Sequence, residues 1–230
     1  MFSFVFPMDM NRIEQFTVTK QLYDEMPQKK EFIIPTRSYK ELKKELQKRN
    51  LMKDVTLIPY EVEVGFNPSK AFNMGVRTAK YDNIIITSPE IKPTTNVLEQ
   101  LEEHIGKNIV CEVWEENELG NLSLLVSSGF RSDSPAMYFL AMFRKEDIYK
   151  INGWDEDFMK GYAYEDNDFG ERWKRAGLPY EFNDDIKALH QYHPRSETIR
   201  GGTAINFELY NKNIDNGITY CKNGLINGNI

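Results

Sequence analysis

The sequence predicts an α/β fold: a mainly parallel central sheet with helices on both faces, in a single domain over residues 1–230. Three observations predict it. Short apolar, β-rich runs alternate with segments of helical period through the first 115 residues, giving the order βαβαβαβαβ, which a parallel sheet with crossover helices explains. Residues 84–86 are three consecutive isoleucines, the continuous apolar run of a strand covered on both faces. Proline, glycine or asparagine stands where most of these runs stop.

Taken in order, residues 2–6 form the first strand, which Pro7 ends, and 11–26 carry Ile13, Phe16 and Tyr23 at helical spacing. A second strand, 31–34, is expected to stop at Pro35. Ser38 and Glu41 make a capping-box pattern before a helix with Leu42 and Leu46 on one face, closed by Asn50. Strand three is 55–59. Residues 69–80 follow as a helix whose Ala71, Gly75 and Ala79 form a small-residue face, allowing close approach to the sheet or a ligand. Strand four is 83–87, the next helix 95–105 stops at Gly106, and strand five is 109–114. The polar stretch 116–135 lacks periodicity and suits a mobile loop beside a site. Residues 137–143 read as a strand, 145–151 as a short helix, and 165–177 as a helix with Phe169, Trp173 and Ala176 on one face. A strand near 179–183, the run 186–194 and a helical piece over 205–211 complete the chain.

A formal net charge of -6 and a pI near 5.3 argue against a duplex-binding surface, which needs clustered Lys and Arg. No apolar run approaches the length of a membrane span. Residues 1–7 lack a basic leader and a small-residue cleavage site, so they read as a strand and not as a signal peptide. Cys111 and Cys221 have no metal-type spacing, which fits free thiols in a reducing, cytoplasmic compartment.

Polar clusters fall at the strand ends, which share one edge in a parallel sheet. Glu90 follows the isoleucine strand, Glu165-Asp166 open a helix, and His190 and His193 come late. A carboxylate and an imidazole, completed by phosphate oxygens, make a reasonable site for Mn²⁺ or Mg²⁺. Carboxylates at a helix start also have an electrostatic explanation, through free N–H groups and the helix dipole.

The segment 151–177, with Asn152-Gly153-Trp154-Asp155-Glu156, Gly161, Glu165-Asp166, Asp168 and Arg172, resembles the acceptor-side signature of GT-A-fold nucleotide-sugar glycosyltransferases of the family 2-like and galactosyltransferase-like group. Upstream, 69–75 looks like that group's helix with an Ala-x-Asn-x-Gly motif near the nucleotide, and Ser88-Pro89-Glu90 stands where its Asp-x-Asp metal motif lies. The replacement leaves Glu90 as the one acidic ligand there. The second strand ends in Pro35-Thr36-Arg37 where many relatives carry acidic residues near the base.

The resemblance implies a transfer from a nucleoside-diphosphate sugar to an acceptor hydroxyl with inversion, Asp166 acting as general base and Glu165 bonding the acceptor or positioning Asp166. Glu90, His193 and, less favourably, His190 hold a divalent metal, Mn²⁺ or Mg²⁺. Gly153, Trp154 and Asp155 fall on the acceptor side, Trp154, with Tyr162 or Tyr164, offering a flat face to a sugar, although core packing equally explains the two tyrosines. Lys70, Asn73, Pro7, Asp9 and Arg12 fall on the nucleotide side. Residues 1–115 then make the nucleotide-sugar half, 116–194 the acceptor half and 195–230 an extension. The acceptor is a glycan, a small molecule, a protein or a modified nucleic acid. A binding module of the same fold without catalysis is the alternative.

Overall fold

The computed structural model describes residues 1–61, 68–130, 137, 139–194 and 202–228. Residues 131–135 of the expected loop and the first residues of the 195–230 extension therefore lie outside the described residues. Among those described, the strands are β1 (Phe2–Val5), β2 (Lys30–Thr36), β3 (Val55–Pro59), β4 (Asn83–Thr87), β5 (Ile91–Pro93), β6 (Ile109–Glu116), β7 (Leu122–Val126), β8 (Leu140–Arg144) and β9 (Glu181–His190). The helices are α1 (Ile13–Glu25), α2 (Tyr39–Lys48), α3 (Pro68–Thr78), α4 (Val97–Glu102), α5 (Lys145–Lys150), α6 (Glu165–Arg175) and α7 (Ala204–Asp215), with single 3₁₀ turns at Met10–Arg12 and Glu156–Lys160.

All the strands join one sheet in the order β3-β2-β1-β4-β8-β6-β9-β5, with β7 on β6. The parallel half, β3-β2-β1-β4, is the doubly wound unit that the alternation implies. Beyond it β8 runs antiparallel between β4 and β6, while β6 and β9 pair in parallel. Consequently β1, β2, β3, β4, β6 and β9 all point the same way, and their carboxyl ends share an edge. The three isoleucines of β4 are fully buried at the centre. On α3 the small face lets the helix close on β1: a Cβ on Gly75 would stand 2.2 Å from Val5 Cγ1.

Several boundaries differ from the sequence reading. Pro35 lies inside β2, paired with Ile58 near the strand end, and its carbonyl accepts from Met8 N–H at 3.1 Å. The expected loop 116–135 contains β7, whose outer half is exposed and so lacks an alternating pattern. The two late runs form one strand, β9, with a register shift opposite Cys111/Glu112. Residues 202–228 are stitched into the acceptor half: Leu225 N–H and Asn152 O bond at 2.7 Å, Asn152 Nδ2 and Cys221 O at 2.8 Å, and Arg175 Nε and Ile218 O at 3.0 Å.

Candidate active site at the carboxyl edge of the sheet

Glu90 precedes β5, and β5 pairs antiparallel with β9 so that Ile91 faces His190. That pairing brings residues a hundred positions apart together. His190 Nε2 stands 3.7 Å and His193 Nε2 3.5 Å from Glu90 Oε1, and one ligand atom from each residue fits within 4.8 Å of the others. Both histidines join the trio, including the less favoured His190. Burial acts to raise the Glu90 pKa, but the imidazoles of His190 and His193 outweigh it and bring it to about 2. Glu90 Oε2 is buried without a hydrogen-bond partner, and Arg12 Nε lies 3.9 Å from it. Glu90 Oε1 beside two imidazole nitrogens is a donor set that fits a divalent cation such as Mn²⁺.

Gln191 holds this cluster together and had no sequence signal beyond its place between two histidines. Its side-chain Nε2 donates to Glu90 O at 3.1 Å, to Gln15 O at 3.2 Å and to Thr19 Oγ1 at 3.0 Å, and its backbone N–H donates to Glu90 O at 3.0 Å. The ligand loop is thereby tied to α1.

On the nucleotide side, Pro7 is buried and Asp9 and Arg12 follow β1. Asp9 forms an ion pair with Arg37 at the end of β2, with Arg37 Nε at 2.8 Å and the Arg37 backbone N–H at 3.1 Å. The Tyr60 hydroxyl after β3 is buried without a hydrogen-bond partner, and burial, then the Asp9 charge, raise its pKa. Tyr60 is thus a neighbour of Asp9 that motif reading left out. Lys70 lies half-buried in the first turn of α3.

The acidic stretch 151–177 divides into an interior clamp and a surface pair. Trp154 is fully buried, stacked on Phe169 with centroids 4.1 Å apart and tilted against Phe72, so it has no face left for a sugar. Asn73 is buried on α3. Its Oδ1 accepts from Trp154 N–H at 2.9 Å, and its Nδ2 donates to Trp154 O at 2.8 Å and to Glu156 Oε1 at 3.0 Å. Gly153 has φ +67°, and a Cβ there would stand 2.3 Å from Asn73 Oδ1, so glycine is required for that clamp. Asp155 is buried too, accepting from Asp157 N–H at 3.0 Å, and burial pushes its pKa up to about 6. The side chains of Asn73, Trp154 and Asp155 thus make these contacts inside the protein.

Asp168 likewise does more than favour a helix start. It forms a fully buried ion pair with Arg172 at 2.6 Å and accepts from Asn213 Nδ2 at 2.8 Å. Arg172 donates onward to Ile151 O and Gly153 O, both at 2.8 Å, fixing the turn ahead of Trp154.

Glu165 and Asp166 begin α6 and are half-buried. A short link, 176–180, carries α6 into the amino end of β9, while Phe169 and Trp173 both contact Phe143 near the amino edge of β4. Glu165 Oε2 is covered and has no hydrogen-bond partner. Burial, and then the Asp166 charge, push the Glu165 pKa up to about 8.

Comparison with known proteins bears on the fold. Residues 128–196 match the family described as the N-terminal domain of galactosyltransferase. Among curated proteins no sequence relative matches. The fold is similar to that of Staphylococcus aureus TarS 1-349 in complex with UDP-GlcNAc, with TM-score 0.65, 11% identity, and 85% of this chain and 59% of that one covered. The UDP complex of the same TarS fragment gives TM-score 0.64 at 14% identity, covering 84% and 61%. The mannosyltransferase PcManGT of Pyrobaculum calidifontis, in complex with GDP-Man and Mn²⁺, gives TM-score 0.58 at 12% identity, covering 86% and 58%. The chain thus spans less than two thirds of the length of each of these neighbours. No helix among the described residues is long and apolar enough to cross a membrane. The chain has the GT-A fold of nucleotide-sugar glycosyltransferases, with a galactosyltransferase-family segment at residues 128–196.

Proposed function

We propose that this chain is a glycosyltransferase that moves a sugar from a nucleoside-diphosphate sugar to an acceptor hydroxyl with inversion. The observation that carries the proposal is the trio Glu90, His190 and His193, whose ligand atoms lie within 4.8 Å of one another where β5 meets β9. Residues 1–115 bind the donor, with Asp9, Arg12 and Arg37 around its nucleoside and Lys70 near its phosphates. Residues 116–194 supply the acceptor side.

Glu90, His190 and His193 would hold Mn²⁺ or Mg²⁺, which would supply positive charge against the departing diphosphate. Asp166 accepts the proton of the acceptor hydroxyl while that oxygen bonds to the anomeric carbon and the bond from that carbon to the diphosphate breaks. Glu165, protonated near neutral pH by virtue of its covered carboxyl, donates a hydrogen bond that orients the acceptor. The acceptor class is open among glycans, small molecules, proteins and modified nucleic acid. The two buried free thiols, Cys111 and Cys221, fit a reducing, cytoplasmic setting.

The test is a thermal-shift screen of nucleoside-diphosphate sugars with and without Mn²⁺, followed by donor turnover in wild type and Asp166→Asn. A selective donor shift is expected, with turnover reduced at least about 100-fold in the variant, the general-base contribution, and the shift unchanged. Near-normal turnover in Asp166→Asn removes the base assignment, and donor binding without turnover across acceptors favours a non-catalytic module.

A further inference from the structure

The last helix is built the wrong way round for a helix that only packs. Its buried residues are two asparagines, Asn206 and Asn213, while Ile205, Phe207 and Ile214 are exposed, Phe207 by 47%. Asn213 reaches Asp168, and Asn206 Nδ2 donates to Ala163 O at 2.7 Å and Phe158 O at 3.0 Å. Polar bonds therefore set the helix against the 158–164 turn and leave its apolar side chains outside.

That turn is itself unusual. Ala163 and Tyr164 both adopt left-handed backbone, with φ 63° and 71°, a conformation that costs side-chain-bearing residues free energy and persists only when neighbours enforce it. Its result is to bring the Tyr164 ring over α7, with centroids 5.3 Å from Phe207 and 5.5 Å from Tyr210. Tyr164 is half-buried, and the next residue is Glu165. A cluster of three mutually tilted rings with a half-exposed Phe therefore starts one residue from the carboxylate pair in the chain, with two of its three rings outside the matched segment 128–196.

Resting on the glycosyltransferase reading, we infer that Tyr164, Phe207 and Tyr210 form an acceptor subsite for a pyranose, so that the acceptor is a glycoside or glycan. A pyranose presents an apolar face of C–H groups and a rim of hydroxyls. Aromatic rings remove such a face from water, and a tyrosine hydroxyl at the rim meets the polar edge. A strongly anionic acceptor such as nucleic acid finds no matching charge at these rings.

Saturation-transfer NMR with methyl β-D-glucoside, methyl β-D-galactoside and methyl N-acetyl-β-D-glucosaminide tests the subsite without requiring turnover. Wild type is expected to transfer saturation to ring C–H protons of at least one glycoside. Tyr164→Gly removes a ring at a position whose backbone glycine prefers, and Phe207→Ser removes an exposed one, so both are expected to fold. Each is expected to weaken the glycoside about tenfold, and Phe207→Trp to keep it, with donor thermal shifts unchanged. Equal glycoside binding by both variants, or none by wild type, overturns the subsite. If a nucleoside-diphosphate sugar still shifts wild type in that case, the subsite alone falls; if no donor shifts it, the glycosyltransferase reading falls as well.

Discussion

Glu165 carries the clearest pH signature. Its folded pKa, about 8, lies above the 4.5 of an ordinary glutamate because its carboxyl is covered and Asp166 is adjacent. The folded protein therefore holds a proton that the unfolded chain releases, and the stabilisation from this group, full below about pH 4.5, is lost as pH rises through 8. Asp155 has the same sign but finishes titrating near 6, and Glu90, held near 2, acts only in acid. The thermal midpoint is expected to fall between pH 6 and 9 in wild type and to stay flatter in Glu165→Gln; equal slopes in scanning calorimetry exclude this account. At this scale the sequence was informative where residue type carries chemistry, as for Glu90, His190 and His193. It was silent where a role depends on which way a side chain turns. Trp154 as a sugar platform and Trp154 as core are the same letter, and the stack on Phe169 decides between them.

Among the elements, α6 is held by its own buried ion pair. Arg172 bonds Asp168 and two carbonyls of the 151–153 turn, all without solvent contact. Removing one partner of a buried pair leaves an uncompensated charge and costs about 3–5 kcal/mol. Arg172→Met, which keeps much of the volume, is expected to lose stability of that order in urea unfolding, and a change under 1 kcal/mol would show that the clamp is replaceable. The helices and the parallel strands were readable because they are long and periodic. β5 and β7 were not, since one is three residues long and the other is exposed along half its length, so tertiary pairing and not local pattern makes them strands. α7 was shortened for a related reason: with asparagines facing in, its periodicity misstates which face is buried.

For the molecule as a whole, the sheet divides into a parallel body made by the first ninety residues and a mixed body made by the rest, closed by 202–228. The alternation of the first body was open to reading because each strand there is followed by its own crossover helix. The order of the second was not, because β8, β6, β9 and β5 are neighbours in space in an order unrelated to the chain. The bond from Gln191 to Glu90 spans 101 residues. Closing so long a loop adds little equilibrium cost, since that cost grows only with the logarithm of length, but contacts of this separation slow folding. Time therefore separates the two bodies. In refolding, far-UV circular dichroism is expected to recover before Mn²⁺ protects the chain from unfolding, and simultaneous recovery of both signals would contradict this. The β5–β9 pairing thus acts as a checkpoint: a newly made chain has its helices and most of its strands before Glu90 meets His190 and His193, and that cluster exists only when segments a hundred residues apart have joined.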